Sequence, residues 1–276
     1  MAAAPPNTPL SSATVAALDV RPVASLAEYA ACVTLQEEVW GREFESVPAS
    51  LLQVATYVGG LCIGAFTAGG ELCGFVFGLA GTIDGRPTHW SHLLGVRESA
   101  RNLGVGRLLK EHQRDLLRDR GIPEMCWTFD PLIAKNAHLN LNLLGARVVR
   151  YVPDMYGTTE SPLHHGLATD RLLVSCLTSP GPARRAAPGR AGAPLLTLSP
   201  QAGDDLLDPD DDNPTSLRIE VPTDFRQLLA RSPTRATAWH AALRRHFLWA
   251  LDAGYVVTGL HRDPLSSRSF YTLAAE

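Results

Sequence analysis

The stretch Arg101-Asn102-Leu103-Gly104-Val105-Gly106 constrains this chain more than any other. It follows an apolar run, Leu93-Leu94-Gly95-Val96, and opens an amphipathic helix in which Val105, Leu108, Leu109, His112 and Leu116 recur at helical spacing. Arg107, Lys110, Glu111, Arg114 and Asp115 fall on the other side, and Gly121 with Pro123 beyond it gives the stop signal. Strand, glycine-rich loop and helix in this order present successive backbone N–H groups at a helix N-terminus, and that arrangement binds phosphate. Gly104 and Gly106 leave the N–H groups uncovered, while Arg101 and Arg107 add positive charge at the rim. Val96, Arg101, Asn102, Leu103, Gly104, Val105, Gly106 and Arg107 therefore form the candidate binding set for a pyrophosphate.

Two other phosphate sites use similar parts and are disfavoured by the residues. The dinucleotide fingerprint needs a third glycine where this chain has Leu109, and a Walker-type loop needs Gly-Lys-Ser/Thr, which the chain lacks. A net charge of −3 gives no basic field for nucleic acid or an anionic membrane surface. The five cysteines, Cys32, Cys62, Cys73, Cys126 and Cys176, lie among apolar residues without a Cys-x-x-Cys pair, and reduced core thiols in a cytoplasmic protein are expected. No apolar run approaches membrane-spanning length.

Periodicity predicts strands near 17–21, 61–67, 72–79, 88–96, 124–129, 147–151 and 167–177, with helices over 25–40, after Gly104, and over 136–144, and a short helical or irregular piece at 51–57. Residues 1–16 read as a disordered tail, 17–178 as one α/β (α+β) domain, and 179–215, rich in Pro, Gly and Asp, as a linker or loop. The acidic run 208–212 lacks the glycine and glutamate of a calcium loop. Residues 216–276 read as a small α+β extension, with strands at 217–221, 255–260 and 269–273, and helices at 223–229 and from Pro233 to near Gly254. A unit of this size needs something to pack against, so a homodimer stays open.

The loop and the element order βα(α)βββαβαββ resemble the GNAT superfamily of N-acyltransferases over about residues 17–178. The segments 128–132 (Thr-Phe-Asp-Pro-Leu), 136–138, 140–142, 144–146 and 169–172 look like a subgroup of predicted acetyltransferases that carry a C-terminal extension. Some relatives of that subgroup accompany N-acylamino-acid racemases. The resemblance implies a mostly antiparallel sheet flanked by helices, and acetyl-CoA or another acyl-CoA, succinyl-CoA included, as co-substrate. It also implies a small-molecule amine or amino acid as acceptor, with no metal. It implies Asp130 as general base, Asn136 beside the pantetheine arm, and Tyr156 as the acid that protonates the departing thiolate.

Each of these residues also has a plainer reading. Asp130 before Pro131 suits a turn, Asn136 suits the N-cap of a helix over 137–144, and Tyr156 before Gly157 suits ordinary packing. His89 and His92, three positions apart on a strand, face opposite sides, and one of them is an alternative base. His164-His165 lacks a third ligand at metal spacing. The loop strand lacks the glutamate common in GNAT enzymes, so a CoA-binding sensor or assembly module that does not turn CoA over is the alternative function. Arg86, Arg147 and Arg150 are candidate partners for an acceptor carboxylate.

Overall fold

A computed structural model describes residues 17–43, 45–157, 167–179, 195–199, 214–266 and 268–275. The expected tail at 1–16, the acidic run at 208–212 and His164-His165 lie outside the described residues. The fold is mixed α/β, with mostly antiparallel strands flanked by helices. Two compact units divide the chain, 1–127 with 177–179, and 128–176 with 180–276.

The first unit is built on strands β1 (Asp19–Pro22), β2 (Leu61–Phe66), β3 (Leu72–Ile83), β4 (Arg86–Val96) and the start of β5 (Glu124–Phe129), in that spatial order. Every residue of β2 is buried, as is the first half of β3, so both are central strands read as continuous apolar runs. Asp84 and Gly85 both take positive φ, 50° and 74°, which closes β3 and β4 into a tight hairpin. Successive β1 to β4 pair antiparallel, whereas β5 pairs parallel to β4.

Helices α1 (Leu26–Trp40) and α2 (Ala49–Tyr57) precede β2. Ser25 caps α1 in a reciprocal capping box with Glu28, which satisfies two otherwise orphaned N–H groups. Helix α3 (Val105–Asp119) follows the glycine-rich loop. A Cβ on Gly74 would meet Leu109 and Val105 of α3, and one on Gly95 would meet Phe75 and Trp40, so α3 and α1 cover opposite faces of the sheet.

The buried side of α3 differs from the expected one. Val105 and Leu109 are buried, but so are Lys110 and Gln113, whereas Leu108 is exposed and His112 and Leu116 are half-buried. The stripe is rotated because polar side chains of β4 receive Lys110 and Gln113. Apolar periodicity carries no trace of such partners.

The second unit contains α4 (Ala134–Ala137), which runs on into a π-helical turn, His138–Leu143. Strands β6 (Arg147–Val152) and β7 (Arg171–Leu177) pair antiparallel. The 179–215 segment was expected to be without structure, yet it supplies strand β8 (Leu195–Leu198), which pairs parallel to β9 (Ser216–Val221). The strand is a local apolar run, Leu-Leu-Thr-Leu, inside a segment otherwise rich in Pro, Gly and Asp. Helices α5 (Phe225–Arg231) and α6 (Pro233–Asp252) follow, then β10 (Tyr255–Arg262) and β11 (Ser269–Ala275), completing a sheet of order β10-β11-β9-β8.

Phe247 of α6 stacks on Tyr151 at 5.5 Å and meets Tyr271 edge-on at 4.9 Å. Tyr271 also donates to the Pro131 carbonyl at 2.7 Å. The C-terminal elements therefore share a core with residues 128–176, and the compact units part at 127/128 and not at the composition change after 178.

Candidate functional site

The loop between β4 and α3 is tightly turned. A 3-10 turn (Glu98–Ala100) leads to Asn102 with φ 66° and to Gly104 with φ 87°. Gly104 is the N-cap of α3, and no side chain caps the helix. The first N–H groups of a helix have no intrahelical acceptor, so those of Val105, Gly106 and Arg107 are directed outward. Gly104 is required by its left-handed backbone. Gly106 is not: it is helical, and a Cβ there would meet only Leu94 at 3.7 Å and Val96 at 3.8 Å. Neither backbone nor packing requires glycine at that position.

Arg101 Nε donates to the Val96 carbonyl at 3.2 Å, tying the loop to the end of the strand. Arg107 pairs with Glu111 at 2.8 Å, so its charge is partly neutralised and it contributes less to the rim than its position suggests.

The strand feeding this loop has two further properties. Its ladder with β5 comprises His89↔Met125 and Trp90↔Cys126 only. Its pairing with β3 shifts between Phe77↔Leu93 and Gly78↔Ser91, which makes His92 a bulge residue. A bulge bends its strand and raises the local twist. Here it falls just past the last β5 pair, so the carboxyl-terminal part of β4 leaves its parallel neighbour. Ligands of α/β sheets bind outside the carboxyl ends of strands, at such an opening. The bulge was not anticipated from the sequence. The two histidines face opposite sides, as their spacing predicts: His89 is buried against α3, whereas His92 is exposed beside Phe77, with ring centroids 6.4 Å apart.

The remaining candidate residues belong to the second unit. Asp130 Oδ1 accepts from the Leu132 N–H at 2.8 Å, a local turn of the kind its Asp-Pro setting suggested. Asn136 is exposed and is not an N-cap, because the helix starts two residues earlier, at Ala134, with Ile133 as its cap. Tyr156 is 47% exposed, its hydroxyl 3.2 Å from Thr128 Oγ1 and its ring 5.5 Å from the Arg171 guanidinium. Its backbone N–H is held by Thr169 Oγ1 at 2.9 Å, which fixes the turn that presents it. Among the described residues no cluster of His, Cys, Asp and Glu could hold a metal, and no helix is long and apolar enough to cross a membrane.

No protein-family model matches the chain, and no curated protein sequence matches it. Solved structures do match. The ribosomal-protein-S18-alanine N-acetyltransferase from Escherichia coli is similar over 60% of this chain and 97% of its own, at 16% identity and a TM-score of 0.48. The aminoglycoside 6'-acetyltransferase type Ii is similar over 59% of this chain and 99% of its own, at 16% identity and a TM-score of 0.48. An acetyltransferase of the GNAT family from Streptococcus pneumoniae is similar over 58% and 99%, at 18% identity and a TM-score of 0.45.

Proposed function

We propose that the chain is an acyl-CoA-dependent N-acyltransferase. The observation that carries this reading is the junction of an uncapped helix N-terminus with a bulged strand that leaves its parallel neighbour. The helix end suits the pyrophosphate of CoA. The freed strand edge suits an extended arm bearing amides, because pantetheine can pair with it as a short strand does. Few other metabolites combine a diphosphate with such an arm.

The reaction is attack of a primary amine on the thioester carbonyl carbon. The tetrahedral oxyanion is held by a backbone N–H of β4, and the C–S bond then breaks. The nitrogen loses a proton to a base, and the thiolate gains one from an acid. Tyr156 is our candidate for that acid, since a phenol is matched to a thiol leaving group. Asp130 remains the candidate base, although its turn bond to Leu132 leaves only part of the carboxylate for that role. Acetyl or succinyl is the proposed acyl group, and an amino acid the proposed acceptor.

Calorimetry with CoA tests the reading. Saturable binding is expected, and Gly106→Leu should weaken it while the helix stays folded. Losing one or two charge-assisted hydrogen bonds, at about 1.5–3 kcal/mol each, corresponds to roughly tenfold or more in affinity. Absence of binding by the folded wild type ends the proposal. Binding without thiol release, across acetyl-CoA and succinyl-CoA with D- and L-amino acids, would leave a CoA-binding module instead of an enzyme.

A further inference from the structure

Four polar side chains in the first unit form a chain with a fixed direction beneath the bulge of β4. Lys110, 2% exposed, donates from Nζ to Ser91 Oγ at 2.8 Å and lies 3.7 Å from the centre of the Trp127 ring. Ser91 Oγ donates to Gln113 Oε1 at 2.8 Å, and Gln113 Nε2 is 3.0 Å from His89 Nε2. Lysine has only donors, so each later group must pass its hydrogen onward. Gln113 therefore donates to His89 Nε2, and the His89 proton sits on Nδ1. That Nδ1 is buried in a side chain 1% exposed and has no hydrogen-bond partner.

The sheet makes room for this arrangement. Gly78 stands opposite Ser91, and a Cβ there would lie 2.2 Å from His89 Nε2 and 2.7 Å from the Trp90 carbonyl. Ser91 is the last residue before the bulge, and Trp90 is the last residue of β4 paired to β5. Lys110 and Gln113 lie on the helix whose N-terminus forms the anion cradle. The four side chains thus link the cradle helix to the strand at the point where it bends.

We propose that Lys110, Ser91, Gln113 and His89 are positioning residues that hold the β4 bulge at a fixed place relative to the anion cradle. Given the acyltransferase reading, on which the kinetic part rests, they set turnover and not CoA affinity. A thioester anchored by its diphosphate reaches the strand N–H groups in register only while the bulge keeps its place, and small misplacements at a reacting centre lower rates steeply. Burial, with the charges of Lys110 and Arg120, holds the His89 imidazole down at about 4, so the ring stays neutral above that pH.

Nitrogen NMR of the full chain tests the direction of the relay. The wild type should show His89 as the Nδ1–H tautomer, and Gln113→Glu, which offers only acceptors, should convert it to Nε2–H. An Nε2–H tautomer in the wild type overturns the relay. Hydrogen exchange tests its mechanical role. Gln113→Leu and Ser91→Ala should speed exchange across residues 90–94 by about tenfold while leaving 104–108 within about twofold. Unchanged exchange at 90–94 overturns the proposal whatever CoA does.

With turnover in hand, the same two variants should lose about tenfold or more in kcat and keep the CoA dissociation constant within about threefold. Ser91→Thr, which keeps the hydroxyl, should recover most of kcat. Parallel loss of affinity and turnover would show a merely structural role and overturn the proposal. A wild type that binds no CoA but shows the expected tautomer and exchange would sink the acyltransferase reading and leave the strand lock standing.

Discussion

Each compact unit buries a charged group beside a strand, Lys110 in the first and Asp170 in the second, and the two do so in opposite ways. In the second unit the ion cluster is closed. Asp170, 2% exposed, accepts from Arg244 Nε at 2.8 Å, from the Tyr151 hydroxyl at 2.5 Å and from the Asp154 N–H at 2.9 Å. His240 Nε2 donates to the Ala168 carbonyl at 3.0 Å and lies 3.4 Å from the same carboxylate. In the first unit the Lys110 relay runs through neutral groups and ends on an unpartnered Nδ1. A closed cluster fixes where elements sit, because each buried oxygen is satisfied in one arrangement only. An open-ended relay spends an orphaned donor to hold a strand that has left its neighbour. The first belongs to folding, and the second lies beneath the candidate binding edge.

The largest expected effect breaks the closed cluster. Asp170→Ala leaves the half-exposed Arg244 without its carboxylate and removes the acceptor of the buried Tyr151 hydroxyl. Leaving a buried hydroxyl without its charged acceptor costs about 1–3 kcal/mol, and the lost charge-assisted bonds to Arg244 add to it. Urea unfolding should show a loss of this size, and a loss under about 1 kcal/mol would mean that the cluster is dispensable.

Tyr156 sharpens the contrast from within the same unit, since it is exposed and belongs to no closed network. Tyr156→Phe removes one exposed hydrogen bond, so stability should change by no more than about 0.5 kcal/mol. If the phenol protonates the thiolate, kcat should fall by about two orders of magnitude, with little change in KM. Near-normal turnover in the variant would assign Tyr156 to packing alone.

Much of this architecture was legible before any coordinates. Pro233 at a helix start and the helix that opens after Gly104 are local signals, and each lies where the sequence places it. What escaped detection depends on partners far along the chain. The bulge at His92 exists only as a mismatch between β3 and β4. Lys110 looked solvated because its acceptor, Ser91, lies 19 positions away on a strand. Asn136 looked like a cap because nothing local announces a helix start at Ala134. Gly78 was the one available hint of the relay, a glycine inside an apolar strand, which often marks close approach by another group.

The last effect separates the two units by pH. Burial lowers the His89 pKa from 6.5 to about 4, aided by the charges of Lys110 and Arg120. Between those values the unfolded chain binds a proton that the folded chain refuses. Stability is therefore complete above about pH 6.5 and falls with acid at about 1.4 kcal/mol per pH unit until the folded group titrates. Asp170 has a dependence of the same sign at lower pH. Burial alone would raise its pKa, but Arg244, Tyr151, the Asp154 N–H and His240 together hold it below 3.8. Its contribution is thus intact above the unfolded value and is lost only as pH falls below it. Unfolding followed from pH 7 to 3 should weaken in two stages, the first from His89 and the second from Asp170. Gln113→Glu should remove the first stage and leave the second, because a carboxylate facing Nε2 stabilises the charged imidazole. A single acid transition near pH 4, unchanged by that variant, would show that His89 is freely solvated when folded and that the two units bury charge alike.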